Sequence, residues 1–195
     1  MRYLSGHGVA QSDTEAVHWY RQAATQGHAG AQIELGLMYD NGRGVPRDAT
    51  EAARWYLRAA EQGNMYGQYN VGVAYRNSAR GVQDHAEAAR WFRQAAEQGH
   101  VDAQNNLGLM YQNGQGVARD TGQALHWYRK AAEQGNADAQ NSLGVMYGSG
   151  RGVAQNDTEA VRWFRRAAEQ GDANAQHNLA ISYGGGYGVP RDLAQ

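Results

Sequence analysis

This chain of 195 residues has no cysteine, a single lysine (Lys130), no long apolar run and no excess of either charge. The lack of cysteine excludes disulfides, thiolate metal ligands and a cysteine nucleophile. Because 18 basic residues are balanced by 19 acidic ones, the chain has no net positive charge to attract a nucleic-acid backbone. No apolar run reaches the roughly 20 residues of a membrane-spanning helix, and residues 1–10 contain no secretory signal. We expect a soluble protein, cytoplasmic or periplasmic, that binds no nucleic acid and spans no membrane.

Catalytic and metal-binding motifs are also missing. The sequence contains no S-x-x-K, G-x-S-x-G, H-E-x-x-H or P-loop motif and no cluster of residues with metal-ligand spacing. Four histidines have structural explanations: His28 and His100 stand where helix caps are needed, and His18 and His126 share a surface position that other repeats fill with arginine. We therefore expect no catalytic residue, no metal site and no cofactor.

The chain does contain a fixed period of 36 residues. The positions that keep this step are Trp19, Trp55, Trp91, Trp127 and Trp163; Tyr3, Tyr39, Tyr75, Tyr111, Tyr147 and Tyr183; and Gly27, Gly63, Gly99, Gly135 and Gly171. A period of this length predicts a stacked helical solenoid. Such proteins usually present surfaces to partners rather than perform chemistry.

Each repeat is predicted to form two helices, which we call helix A and helix B. In residues 100–135, the stripe of Ala103, Leu107, Met110 and Tyr111 predicts a helix A over roughly 101–112, and Gly114 and Gly116 then break the pattern. Helix B begins after Asp120. Its buried stripe comprises Ala124, Trp127, Tyr128, Ala131 and Ala132, and the Trp–Tyr or Trp–Phe pairs of all five copies are interpreted as core.

Two local features are predicted to fix these helices. Capping boxes would start each helix B, with a cap side chain accepting from the helix and an acid or amide reaching back to the cap nitrogen. The pairs are Ser12 with Glu15, Asp48 with Glu51, Asp84 with Glu87, Asp120 with Gln123, and Asn156 with Glu159. Small residues in the middle of helix A would let the large Trp of a neighbouring helix approach the backbone. These residues are Gly36, Gly72, Gly108, Gly144 and Ala180.

Arginines recur along helix B, with glutamates three or four residues away. The guanidinium fork of arginine suits fixed pairing on a helix surface. Because the glutamates neutralise the stripe, we favour a solvated face over a phosphate-binding or membrane-binding surface.

The motifs LGLMYDNGRGV at 35–45, DATEAARWYLRAAEQG at 48–63 and LGLMYQNGQGV at 107–117 resemble the Sel-one-like repeat (SLR) family, a branch of the tetratricopeptide-like helical repeats. The resemblance implies an all-α fold, an α/α solenoid in which antiparallel helix pairs form a right-handed superhelix and helices A line a concave face. It also implies an adaptor role in assembling protein complexes. Some bacterial relatives carry a disulfide in each repeat, and this chain does not resemble that cysteine-rich subgroup.

We interpret residues 1–195 as one repeat array. It comprises a partial repeat at 1–27, full repeats at 28–63, 64–99, 100–135 and 136–171, and a partial repeat at 172–195. Tyr3 has the phase of a helix A whose body is missing, and residues 192–195 supply only the first turn of a helix B. We therefore expect a segment of a longer protein.

Positions that vary between repeats are not needed for stacking, so they are where binding specificity can reside. By the resemblance, the variable positions of helix A face the concave groove. Asparagine amides can satisfy the backbone of an extended peptide, and tyrosines offer large contact areas with polar tips. The loop 76–83 also departs from the others, because Ser78 and Arg80 replace glycines. The predicted contact residues are Tyr66, Tyr69, Asn70, Arg76, Asn105, Asn106, Asn141 and His177.

Three functions remain open at this point. The first is a non-catalytic scaffold that binds a protein segment or peptide in the concave groove. The second is a structural module that assembles head to tail through the ends of the solenoid. The third is a hydrolase, because some relatives have been associated with such activity.

Overall fold

A computed structural model describes residues 12–77 and 84–189, which form ten α-helices and no strand. The helices are α1 (Asp13–Thr25), α2 (Ala29–Asn41), α3 (Ala49–Glu61), α4 (Met65–Arg76), α5 (His85–Glu97), α6 (Val101–Asn113), α7 (Thr121–Glu133), α8 (Ala137–Ser149), α9 (Asp157–Glu169) and α10 (Ala173–Gly185). The even-numbered helices are helices A and the odd-numbered ones are helices B. The predicted alternation of two helices per repeat is confirmed, while most of the divergent loop, residues 78–83, lies outside the described residues.

The chain divides into two compact units, Met1–His100 and Val101–Gln195. In the first unit, which contains α1 to α5, each helix packs against the next one along the chain. The second unit contains α6 to α10 and has the same arrangement. Each unit is thus a stack of helix pairs, as the repeat pattern predicts.

The start of each helix B is encoded locally. Asp48 Oδ1 accepts hydrogen bonds from the amides of Thr50 and Glu51, both at 2.9 Å, and the predicted caps at Ser12, Asp84, Asp120 and Asn156 act in the same way. The second interaction of the predicted capping box, in which the acid side chain accepts from the cap amide, does not form at Asp48. The amide of Asp48 donates to the carbonyl of Tyr39 at 2.9 Å, and Glu51 pairs with Arg54 instead. The cap amide therefore closes the loop between helices A and B.

A small residue in the middle of helix A does allow close packing, but the predicted partner is wrong. A Cβ atom added at Gly36 would lie 2.5 Å from the ring of Tyr56, the residue after the tryptophan. The same conflict arises between Gly72 and Phe92, Gly108 and Tyr128, and Gly144 and Phe164. Helix A and helix B of one repeat thus meet through a ring laid on a glycine.

The tryptophans connect consecutive repeats instead. Trp55 packs with Ala16 and Val17 of the preceding helix B, and Trp163 packs likewise with Ala124 of α7. Trp55, Trp91, Trp127 and Trp163 are buried, as predicted. Trp19 is 51% exposed, so the core interpretation is wrong for this copy.

Basic side chains of helix B have two roles. The predicted pairs with glutamate form in Arg54–Glu51, Arg90–Glu87 and Arg162–Glu159, at 3.0–3.4 Å. Other cations lie over the indole rings, which the sequence analysis did not anticipate. Arg58 lies 4.4 Å from the ring centre of Trp55, and Lys130 and Arg166 cover Trp127 and Trp163 in the same way. Such contacts contribute about 0.5–1 kcal/mol each at exposed sites.

A buried glutamine of helix A joins three helices. Gln32 Nε2 donates to the carbonyl of Ala24 in the preceding helix B at 3.1 Å, and Gln32 Oε1 accepts from Gln62 Nε2 at 2.8 Å. Gln140 makes the equivalent bonds to Ala132 and Gln170. Sequence analysis missed this network, although both glutamines keep the 36-residue step.

We expect Gly144→Ala to lower the free energy of unfolding by about 1–3 kcal/mol, because the added methyl group overpacks the site against Phe164. The matched control is Gly148→Ala on the same helix, where the new Cβ would lie 3.5 Å from the Cβ of Ala160, an ordinary contact. Helix propensity alone would make the control about 1 kcal/mol more stable. Urea denaturation measures both, and equal effects at the two sites would contradict the ring contact as the constraint.

Burial raises the pKa of the Tyr128 hydroxyl to about 12, against a hydrogen bond with Ser142 that lowers it. The unfolded chain releases this proton near pH 10, so stability should be complete below that pH and should fall as pH rises through 12. The free energy of unfolding should therefore decrease between pH 9 and pH 12, and we expect this decrease to be about 2 kcal/mol smaller in Tyr128→Phe. The measurement is urea denaturation at pH 9 and at pH 12. An unchanged difference between these two pH values in the variant would show that other groups cause the loss.

Candidate functional site

In each unit, helices A expose aliphatic side chains, and we call these exposed positions the helix-A surface of that unit. Leu37, Leu109, Val145 and Ile181 occupy equivalent repeat positions and are 37–51% exposed, whereas Val73 is half-buried. Isolated exposed apolar residues are ordinary, but here the same position is aliphatic in every copy. These side chains give each unit apolar contact points on helices A.

In the first unit, three predicted contact residues join one aromatic cluster. The ring of Tyr69 stacks on His100 with ring centres 4.4 Å apart, and Tyr66 meets His100 edge-on at 5.2 Å. Tyr69 also lies 5.8 Å from Phe92, whose ring is 5.7 Å from the guanidinium of Arg76. Since His100 is buried and Tyr66 is 53% exposed, the cluster connects the core to the helix-A surface.

Asn70 belongs to a pocket of about 220 Å³ between α2, α3 and α4. Asp40, Arg47 and Asn77 line it together with the ring of Tyr56. The hydroxyl of Tyr56 donates to Asp40 Oδ2 at 3.4 Å, and burial, followed by the charge of Asp40, raises the pKa of Tyr56. Asp40 and Arg47 were missed. Variation between repeats could have identified this position, since Asp40 is replaced in later repeats by Arg76, Gln112 and Gly148.

Asparagines form hydrogen bonds between and within helices of the second unit. Asn178 Nδ2 donates to Asn141 Oδ1 at 2.9 Å, and Asn106 Nδ2 donates to the carbonyl of Asp102 at 2.9 Å. Asn105, Asn106 and Asn141 are half-buried, and His177 is exposed on α10. Part of the hydrogen-bonding capacity that we predicted for a peptide is therefore used within the unit.

The second unit contains a counterpart of the first pocket, with a volume of about 290 Å³. It lies 108 residues later in the repeat register, so that Phe164 replaces Tyr56 and Asn178 replaces Asn70. Gly148 and Gln155 stand where the first pocket has Asp40 and Arg47. The two pockets share a position in the fold but differ in their polar groups.

Within residues 12–77 and 84–189, no three His, Cys, Asp or Glu side chains are grouped so as to hold a metal ion. No helix in these same residues is long and apolar enough to cross a membrane.

A family model described as the Sel1 repeat matches residues 1–28, 29–64, 66–100, 101–136, 137–172 and 173–195. The chain belongs to the Sel1 repeat family. Proteins with Sel1 repeats are generally protein-interaction modules and typically non-catalytic helical scaffolds. No significant match was found among curated proteins.

Solved structures with Sel1 repeats confirm the α/α solenoid class. The chain is 45% identical, with a TM-score of 0.93, to c5321, a protective antigen present in uropathogenic Escherichia coli strains and displaying an SLR fold; the match covers 98% of this chain and 41% of that protein. It is 39% identical to a Sel1 repeat protein from Oxalobacter formigenes, with a TM-score of 0.80 over 86% of this chain and 69% of the other. Helicobacter pylori cysteine-rich protein B is 28% identical, with a TM-score of 0.54 over 68% of this chain and 96% of its own.

The chain therefore spans about two fifths of the length of the E. coli antigen. Its similarity to the Helicobacter protein concerns the repeat fold, because this chain contains no cysteine. The single continuous array over residues 1–195 and the eight contact residues stay predictions.

Proposed function

We propose that the chain is a non-catalytic adaptor that binds an extended peptide segment of a partner protein along the helix-A surface of a unit. The observation that carries this proposal is the exposed aliphatic residue at the same position of α2, α6, α8 and α10. Removing apolar surface from water at such contacts stabilises a bound peptide. The family's general role in protein interaction supports the same function.

Polar groups beside these aliphatic residues suit a peptide backbone. Amides such as Asn105 and Asn141 both donate and accept hydrogen bonds, which a chain of alternating N–H and C=O groups requires. In the first unit, Tyr66 adds a half-exposed ring supported from behind by His100. A supported ring loses little conformational freedom when a ligand covers it.

The test begins with 12-residue peptides selected from a displayed random library on the immobilised chain. We expect the variant Leu37→Ser/Leu109→Ser/Val145→Ser to bind the selected peptides at least about tenfold more weakly, which corresponds to about 1.4 kcal/mol of lost contact. The control variant Arg54→Gln/His126→Gln/Arg162→Gln changes three exposed positions on helices B and should alter binding by less than about twofold.

Two outcomes contradict the proposal. Weaker binding by the helix-B variant alone would show that the peptide binds to helices B instead. A failure to select any peptide, together with a dimer or larger species in sedimentation, would favour the alternative of head-to-tail self-association.

A further inference from the structure

The pocket of the first unit differs from the rest of the helix-A surface because it combines a carboxylate with a guanidinium. Ala53, Val73 and the ring of Tyr56 supply apolar lining, while Asp40 and Arg47 supply the charges. Pockets for drug-sized ligands occupy about 300–1,000 Å³. The volume of about 220 Å³ therefore suits one side chain of a larger partner.

Asp40 and Arg47 lie close together without forming an ion pair. Arg47 Nε donates to the backbone carbonyl of Asp40 at 3.0 Å, which fixes the guanidinium at the pocket. The carboxylate of Asp40 accepts the hydroxyl of Tyr56. Among the ion pairs within residues 12–77 and 84–189, none joins Arg47 to Asp40. One charged acceptor and one charged donor thus line the same pocket without neutralising each other directly.

The charges of this pocket select a neutral dipole. An anion would be attracted by Arg47 and repelled by Asp40, and a cation would meet the reverse. A carboxamide fits both groups, because its NH₂ donates to the carboxylate while its carbonyl accepts from the guanidinium. Hydrogen bonds to charged groups are stronger than those between neutral groups. Asn70 and Asn77 line the same pocket and add further donors and acceptors.

The combination is specific to one repeat. The equivalent pairs are Arg76 with Gln83, Gln112 with Arg119, and Gly148 with Gln155. Stacking therefore does not need an acid and a base at these positions. We propose that the pocket binds the side-chain carboxamide of a glutamine or asparagine in the partner peptide. This inference rests on the proposed function and assigns one residue of its ligand.

The probes are the pentapeptide acetyl-Gly-Gly-Gln-Gly-Gly-amide and versions with Glu, Lys or Leu at the central position, titrated into the ¹⁵N-labelled chain. Their backbones are identical, so binding through backbone amides cancels in the comparison. We expect the Gln peptide to bind at least about fivefold more tightly than the others and to shift the side-chain amide signals of Asn70 and Asn77.

Two variants remove one charge each and use residues that other repeats carry at the same positions. Asp40→Gln reproduces Gln112, and Arg47→Gln reproduces Gln155. Each should reduce the preference for the Gln peptide to less than about twofold. The matched control is Arg119→Gln, which changes the equivalent arginine of a repeat without the acid and should leave the preference intact.

Equal binding of all four peptides, a preference for Glu, Lys or Leu, or an unchanged preference in both variants would overturn the inference. Library-selected peptides that still depend on Leu37, Leu109 and Val145 would then show that the adaptor function stands without the carboxamide pocket. A Gln preference without any selected peptide would uphold the pocket and contradict the broader function.

Discussion

Contact between one aromatic ring and one glycine sets the distance between the two helices of each repeat. Tyr56 lies on Gly36 so closely that even a methyl group at residue 36 would overlap the ring. Glycine in the middle of a helix costs about 1 kcal/mol relative to alanine. The large buried area of the ring offsets this cost, because aromatic side chains bury more apolar surface than any others. With this distance fixed, helix B can present its tryptophan to the preceding repeat, where Trp55 packs on Ala16 and Val17.

The hydrogen bonds of the buried glutamine depend on the same helix spacing and also constrain how the helices are oriented. Its amide must reach a carbonyl of the preceding helix B and an amide of its own helix B, as Gln32 does with Ala24 and Gln62. A buried carboxamide without partners would cost about 1–3 kcal/mol, so the network favours the placement of the three helices that satisfies it. Apolar contacts tolerate small shifts, whereas this network does not. The interior thus specifies how helices stack, and the outer positions of helix A remain free to vary.

The 36-residue step, the alternation of helices and the cap side chains could be predicted, because each depends on residues close in sequence. The contacts that side chains make with other helices could not be predicted. A tryptophan was predicted to pack on Gly36, but Tyr56, the residue after Trp55, occupies that place. A period shows which residues are equivalent and does not show which neighbour they touch. The capping box failed for a related reason: the carbonyl of Tyr39 takes the cap amide once the loop closes. Among the predicted contact residues, Tyr66, Tyr69 and Arg76 form one cluster. Asp40 and Arg47 were not predicted, because aromatic and amide side chains were the ones expected to bind a peptide.

The ring position links the interior to the variable surface. Its buried side is constant, since tyrosine and phenylalanine both cover the glycine, while its other neighbours differ between repeats in kind and in repeat position. Tyr56 donates to Asp40, Tyr128 bonds to Ser142, and Phe92 meets the guanidinium of Arg76. In these three repeats, a hydroxyl bonds to a polar neighbour or a bare ring lies beside a cation, which its π system attracts. The fourth ring, Phe164, is bare although Asn178 and Gln155 line the same pocket. In these three repeats, the residue next to the ring and the ring type therefore change together. The repeat can acquire a new pocket chemistry without disturbing the contact that sets its helix spacing.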